Sequence, residues 1–459
     1  MDENKDIVDD ELDDVVDKED IIEALDQKDD NALISLVENE YSIDIAEALE
    51  EFSIEEINRF YAVIDDEALA EVIEQADEDL QIRMILLLDN LRVLKIFSYM
   101  SKDDVVDILG DLPTNKRKEL INLMTRGESI TINTLLGYDE DSAGGIMTTE
   151  FVAVNVGLTI KETIDKIRSI SPKTEMIDVI YAVNNRRELV GTVELRDLLI
   201  TADDNNLDMI LNDNFKYVYP DIDQEEVAYT VSKYDLKAIP VVNAKKQILG
   251  IITIDDVIDV INQEHNEDLL ALAGVSAEEA VDNSVFESIR MRLPWLTINL
   301  GTAFLAALVV DRFSATIAQV TALAAAMPVI TGMGGNAGAQ ELSIVIRAIA
   351  LKKIDLEDAI PQLVKQISIG VVNGIIIGLL AGGIFYLMYG SYFLGIIITA
   401  SMIFNLVNGC IMGLLVPLVL KSFKVDPALA SSIFVTTCTD VLGFFVFLGL
   451  ATVFIEKLL

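Results

Sequence analysis

Five apolar stretches follow Arg290, and they constrain this chain more than any other feature. They run near residues 293–310, 314–334, 366–389, 392–420 and 428–455. Each is long enough, or nearly so, to cross about 30 Å of hydrocarbon. A backbone in lipid must satisfy its own polar groups, so each stretch is expected to be a helix. Only Asp311, Arg312 and Phe313 separate the first two, which predicts a tight turn at the membrane surface. Lys and Arg set the direction of insertion. Arg290, Arg292, Arg347, Lys352, Lys353, Lys365, Lys421 and Lys424 fall on one side; only Arg312 and Lys457 fall on the other. The expected orientation in the cell membrane is N-terminus cytoplasmic and C-terminus outside.

The net charge of −42 is carried almost entirely by the part that precedes these stretches. Such an acidic body repels nucleic acid and anionic headgroups and attracts divalent cations. The two cysteines, Cys410 and Cys438, lie in apolar segments and give neither a disulfide framework nor metal-ligand spacing. The first residues are acidic, without an apolar export core, and residues 1–15 are expected to be a disordered tail. No Ser/His, Cys/His or phosphate-loop constellation points to an enzyme.

Within the last apolar stretch stands Asp440. A bare carboxylate at mid-bilayer costs about 2.5–3.5 kcal/mol, so it is expected to face a protein interior or a water-filled path. Ser432, Thr436, Thr439 and Asp440 recur at spacings of four, three and one, giving this helix one polar face. Asp426, about four turns earlier, is placed at the cytoplasmic end by Lys421 and Lys424. Asn405 and Asn408 add polar candidates in the fourth stretch, with helix-to-helix hydrogen bonding as the alternative. The second stretch carries GMGGNAGAQ, in which Gly332, Gly334, Gly335 and Gly338 surround Asn336 and Gln340. Two readings stand for these glycines: close helix packing, or lining of a pore by Gly335, Asn336 and Gln340.

Residues 16–139 show short apolar-periodic segments with Asp, Glu and Ser at helix starts, which predicts an all-α, superhelical stack. Residues 140–262 change to strands and helices, and the pattern occurs twice. Each copy has a strand, an amphipathic helix, two apolar strands joined by a polar turn (NNRRE, NAKKQ), then Gly and a helix containing Asp. This resembles a tandem pair of cystathionine-β-synthase (CBS) modules. The second copy keeps Gly250, Thr253 and Asp256; the first keeps Gly191 and Asp197 but has Glu194 where the hydroxyl residue belongs. The resemblance implies an adenine nucleotide, ATP, at Thr253 and Asp256 of the second copy. The alternative is that the two residues merely cap a helix.

Taken together, GMGGNAGAQ, DPALASS, TTCTDVLG, the paired CBS modules and the acidic helical region resemble the MgtE family of magnesium channels over nearly the whole chain. The resemblance implies a multidomain membrane protein: an all-α superhelical N-terminal domain, an α/β CBS pair, a connecting helix over 263–289, and an all-α five-helix transmembrane domain over 290–459. It also implies a homodimer with its pore along the two-fold axis. Asp440 is the implied holder of a hydrated Mg²⁺, Asp426 the acid at the cytoplasmic mouth, and Asn336 the glycine-flanked amide. Mg²⁺ keeps several of its waters and takes few direct ligands, which suits a sparse pore built from oxygen atoms alone. Gating is expected to rest on acids at Asp255, Asp256, Asp259, Glu264, Glu267 and Asp268 in the connecting segment, and at Asp103, Asp104, Asp107 and Asp111 in the helical region. These acids repel one another until divalent cations screen or bridge them. The alternatives are a CBS-regulated transporter of Co²⁺, Mn²⁺ or Ca²⁺, and a metal or nucleotide sensor that the membrane part only anchors.

Overall fold

The computed structural model describes residues 21, 24, 30–50, 52–170, 174, 176–276, 279, 283–355, 359–423 and 427–459, without the side chains of 429–431. The expected acidic tail and Asp426 lie outside the described residues. The chain divides into two compact units, Met1–Val260 and Ile261–Leu459.

The first unit opens with nine short helices among the described residues. They are α1 (Asp30–Asn39), α2 (Ser42–Leu49), α3 (Ile54–Val63), α4 (Asp66–Glu74), α5 (Glu78–Leu87), α6 (Asn90–Ile96), α7 (Lys102–Asp111), α8 (Thr114–Leu123) and α9 (Arg126–Leu135). From α3 to α9 the N-cap recurs with a fixed step: Ser53, Asp65, Asp77, Asp89, Ser101, Pro113, Thr125. Ser53 and Thr125 form capping boxes with Glu56 and Glu128, and three Asp side chains accept from backbone N–H groups of the first turn. One core position keeps the same step, through Phe60, Val72, Met84, Ile96, Ile108, Leu120 and Ile132, none more than 1% exposed. Helices pack against their next-but-one neighbours, α2 on α4, α3 on α5, α4 on α6, α5 on α7. The fixed step turns the chain by a constant amount at each cap, which stacks the helices into a solenoid.

The CBS part repeats its own pattern. Strand β1 (Phe151–Asn155), helix α10 (Ile160–Ile170), β2 (Met176–Val183), β3 (Leu189–Glu194) and α11 (Leu195–Ile200) make the first copy. Its sheet runs β1-β2-β3, parallel then antiparallel. The second copy has α12 (Gln224–Tyr234) and the antiparallel pair β4 (Ala238–Val242) and β5 (Ile248–Thr253), with a parallel bridge from Val218 to Val241. The two hairpin turns are built alike. Asn184 Oδ1 accepts from the N–H of Arg186 and Glu188, and Asn243 Oδ1 from Lys245 and Gln247. Arg187 and Lys246 take left-handed backbones at matching places, φ 63° and 58°.

Helix α13 (Ile254–Leu272) starts directly from β5. The connecting helix expected from residue 263 is thus the continuation of the last CBS helix.

In the second unit α14 (Val285–Arg312), α16 (Ala322–Ala350), α17 (Ala359–Tyr389), α18 (Tyr392–Ser422) and α19 (Pro427–Val453) are the long helices; α15 (Ser314–Gln319) and α20 (Ile455–Leu458) are short. Four of them are long and apolar enough to cross a membrane, over Val285–Arg312, Ala359–Tyr389, Tyr392–Ser422 and Ser432–Val453. At 29 residues α16 has the length, but its glycines and amides make it less apolar. The stretch expected at 314–334 is replaced by α15, a break at Val320, and α16 running well past the glycines. Small residues hold this packing together. In α17, Gly370, Gly374, Gly378 and Gly382 lie against Val407, Ile403, Thr399 and Gly395 of α18. Thr399 Oγ1 donates to Gly378 O across that seam at 2.8 Å.

Candidate functional site

Two sites emerge, one in each unit. In the second unit, α16, α18 and α19 meet around the glycine-rich turn. Gly338 is buried against Gly409 and Val435, and a side chain on Gly413 would run into Gly338 O and Glu341 Cβ. Close helix packing thus holds for one face of a continuous helix. Gly334 and Gly338 pack inward, while Asn336 and Gln340 are exposed. Gly335 looks toward α19, where the nearest atom to an added Cβ would be Thr439 Oγ1 at 4.0 Å. Gly335 lies against Thr439 and Gly338 against Val435, so α16 and α19 run antiparallel here.

Asp440 is half-buried, Ser432 half-buried and Thr436 exposed. Thr439 is enclosed at 0% exposure, its hydroxyl donating back to Thr436 O at 2.9 Å. Asn405 is likewise enclosed, its Nδ2 donating to Ile330 O at 2.9 Å. Asn408 Nδ2 reaches Cys438 O at 3.2 Å. Asn405, Asn408 and Thr439 thus take part in helix packing, while Asn336, Gln340 and Thr436 are exposed.

Sequence reasoning misses Glu341, a carboxylate only 7% exposed inside α16. An acid within a membrane helix is a signal in itself. The signal is masked because an apolar stretch ending at 334 leaves Glu341 in a loop.

The first unit gathers the other acids. Ser101 N–H, at the cap of α7, donates to Glu74 Oε1 at 3.1 Å, and Ser101 Oγ donates to Asp104. Asp103 is buried and held by Ser101 and Thr148. Thr148 exchanges backbone hydrogen bonds with Ile251 of β5, at 2.8 and 2.9 Å, which seats α7 beside the first turn of α13. Lys102 pairs with Glu150 at 3.5 Å nearby. Asp103, Asp104, Asp107, Asp255 and Asp256 are thereby brought together.

The cost is visible in their protonation. Burial, then Asp104, pushes Asp103 up to about 6. Burial, then Asp104, pushes Glu74 up to about 7. Asp104 is raised by burial and by Asp256 and Asp255. Asp256 rises to about 6 through burial, with Asp103 and Asp255 adding to it. Asp107 is exposed on α7, yet desolvation and then Asp103, Asp104, Asp111 and Glu140 push it up to about 7. Asp111, exposed, is raised by its partial desolvation, against the nearby Arg117.

Among the described residues no three His, Cys, Asp or Glu side chains form a ready cage for a metal. The cluster is an electrostatic strain, with no preformed chelate. Asp259 is exposed on α13; Glu264, Glu267 and Asp268 are half-buried farther along it.

A pH dependence follows. Folding lifts these acids above their ordinary values, so their charged forms oppose the folded arrangement. Stability is greatest in acid and is lost as pH rises from about 4 toward 6 or 7. Free of divalent cations, the full-length protein should unfold at a higher temperature near about pH 5 than near about pH 7, and a divalent cation should remove most of that difference. Equal midpoints in a thermal melt at both pH values would mean the carboxylates do not feel one another.

At the nucleotide candidate, Asp256 Oδ2 accepts from both the hydroxyl and the N–H of Thr253, the latter at 3.2 Å. Thr253 is 1% exposed. This is a helix cap, and it has no counterpart at Glu194, which makes no side-chain cap bond. Gly250 and Gly191 are both required: a Cβ on either would meet backbone carbonyls, of Thr148 and of Asn212 at 2.8 Å.

Comparison with known proteins agrees with this architecture. Residues 327–450 match the divalent cation transporter family MgtE, 40–141 the MgtE intracellular N domain, and 143–203 and 207–263 the CBS domain. The magnesium transporter MgtE of Thermus thermophilus is 31% identical over 95% of this chain and 97% of its own length. That of Bacillus subtilis is 28% identical over 87% and 88%. Among solved structures, the cytosolic domain of the Mg²⁺ channel MgtE in complex with ATP is 32% identical, with a TM-score of 0.51 over 53% of this chain and 99% of that one. The soluble part of a magnesium transporter is 28% identical, also at 0.51, over 53% and 96%. With a solenoid, a CBS pair and a bundle of membrane helices in this order, the chain belongs to the MgtE family of magnesium transporters and is a multi-pass membrane protein.

Proposed function

We propose that the chain is a Mg²⁺-selective channel or transporter of the cell membrane, with its N-terminus cytoplasmic, that works as a homodimer and is closed by cytoplasmic Mg²⁺. The observation that carries this reading is the half-buried Asp440 of α19, with Thr436 exposed on the same helix and Asn336 and Gln340 exposed on α16. Exposed amides and hydroxyls on membrane helices are poorly placed against lipid and well placed against water or a second copy. Two protomers facing through this surface would bring paired Asp440 carboxylates to one aqueous path, with Asp426 at its cytoplasmic mouth. Oxygen groups alone then meet the cargo, which favours a hydrated Mg²⁺ over ions that prefer nitrogen or sulfur.

The acidic cluster supplies the control. Cations bridging α7 and the start of α13 would relieve the repulsion there. Helix α13 runs unbroken from Asp255 to Leu272, where Ala271 packs among Leu342 and Ile346 of α16 and Ala428 and Val435 of α19. One continuous helix thus begins at the proposed sensor and ends on the helices of the proposed path.

The test is flux in proteoliposomes with a panel of cations. Mg²⁺ uptake that falls as Mg²⁺ rises on the cytoplasmic face is the expected result. Equal passage of Na⁺ or of anions would overturn the selectivity, and preference for Co²⁺, Mn²⁺ or Ca²⁺ would reassign the cargo.

ATP belongs to the same proposal, since a relative's cytosolic domain was solved with it. Both bonds of the Thr253 cap fall on one oxygen of Asp256. The other oxygen suits a ribose diol, though the neighbouring acids disfavour a polyphosphate without Mg²⁺. Calorimetric titration of the full chain with ATP should therefore give measurable heat with Mg²⁺, and Asp256→Ala should remove it. Heat unchanged by that substitution would place the nucleotide elsewhere.

A further inference from the structure

We propose that Asn405 is a positioning residue, a buried wedge in α18 that sets the spacing and register of the two helices bearing Asn336 and Asp440. This rests on the reading of those two residues as the ion path.

Asn405 is 0% exposed and lies between glycines of two different helices. A Cβ on Gly334 of α16 would strike its amide, and a Cβ on Gly443 of α19 would come within 2.8 Å of its Nδ2. The amide therefore fills the space that both glycines leave open. Nδ2 donates to Ile330 O at 2.9 Å, which fixes the plane of the amide against α16. One turn along α18, Asn408 Nδ2 donates to Cys438 O at 3.2 Å, which fixes α18 against α19. Gly334 stands two residues before Asn336. Cys438 and Gly443 bracket Asp440. The contacts of α18 thus fall within a turn of both path residues.

Stability alone does not account for an amide here. Its Oδ1 is buried without a hydrogen-bond partner among the described residues, as is Ser401 Oγ one turn earlier. An unsatisfied buried oxygen is a desolvation penalty that a leucine of the same branching would avoid. Ile330, whose carbonyl Asn405 meets, and Asn405's chain neighbour Leu406 both belong to a buried apolar cluster. The polar side chain is retained where its shape and its bond to Ile330 set the geometry of the neighbouring helices.

The experiment compares Asn405→Ala, Asn405→Leu and Asp440→Ala with wild type in proteoliposomes, after gel filtration has selected folded protein. Asn405→Ala should raise the half-saturating Mg²⁺ concentration about tenfold, the low end of what loss of an outer-shell partner costs at metal sites. It should also shift the Mg²⁺/Co²⁺ flux ratio. Asn405→Leu keeps the volume and should hold that ratio nearer to wild type. A purely structural role would lower the yield of folded protein and leave half-saturation and ratio per molecule unchanged; that result overturns the proposal. Should Asp440→Ala itself conduct like wild type, the reading of the path fails, and this proposal with it. An Asn405→Ala protein that behaves as wild type while Asp440→Ala is silent defeats the positioning role alone.

Discussion

Mg²⁺ uptake by reconstituted Asp440→Ala protein is expected to fall to the level of empty vesicles, the largest effect of any single substitution in the chain. The helix that carries Asp440 has no other acid among its described residues. Removing the carboxylate leaves neutral oxygens facing a divalent ion that is costly to dehydrate. A carboxylate that holds the ion through its water shell is the one formal charge offered by this helix, so a loss of at least about a hundredfold is expected. Asp440→Asn keeps the shape and should be nearly as silent, because charge is what is removed. Thr436→Ala, one turn away on the same face, should cost far less. Flux of Mg²⁺ at wild-type rate through folded Asp440→Ala protein would end the account of the path.

Neutralising the acidic cluster should have the opposite sign. Asp104→Asn combined with Asp255→Asn is expected to leave the transporter open at Mg²⁺ concentrations that shut the wild type. The effect should be large because closure must draw on several weak sites together. Moving a balance from 1:99 to 99:1 takes about 10⁴-fold differential binding, which four ions of about tenfold preference each would supply. Removing one such ion costs about tenfold of that bias, and removing two leaves closure incomplete. Asp104 is raised by burial and by Asp256 and Asp255, so relieving two of these charges also weakens the repulsion between α7 and the start of α13. The readout that separates these effects is the Mg²⁺ concentration for half-inhibition, with maximal flux as the control. Half-inhibition at the wild-type concentration would move the sensor elsewhere, to Glu264, Glu267 and Asp268 first.

Much of this fold is legible in the sequence because its signals are local. Long apolar runs, the duplicated strand-turn-strand pattern and Asn at each hairpin turn depend on neighbours within a few residues. The repeat of the helical region is harder to see, although the sequence contains it. Its caps are Ser, Asp, Pro and Thr in turn, and its core position is Phe, Val, Met, Ile or Leu. A repeat carried by residue class escapes a search for identical letters. Glu341 escapes for a different reason. Gly332, Gly334 and Gly335 look like the end of a helix, as intrinsic propensity makes them. Tertiary packing overrides that propensity, because α18 approaches closely only where side chains are absent.

Composition and order alone determined that this chain has an acidic α-helical part, a duplicated strand-and-helix part and a membrane part, and they singled out Asp440 as an acid that lipid would not tolerate. Those conclusions follow from transfer free energies and backbone hydrogen bonding, which act residue by residue. Only the tertiary structure decided which polar residues share a face. It separated Asn336, which is exposed, from Asn405, which is sealed between Gly334 and Gly443. It also gathered Asp103 and Asp104 from one repeat with Asp255 and Asp256 from another domain. The reason is physical: burial and electrostatic crowding are properties of distance in space, and separation along a chain of this length carries almost none of that information.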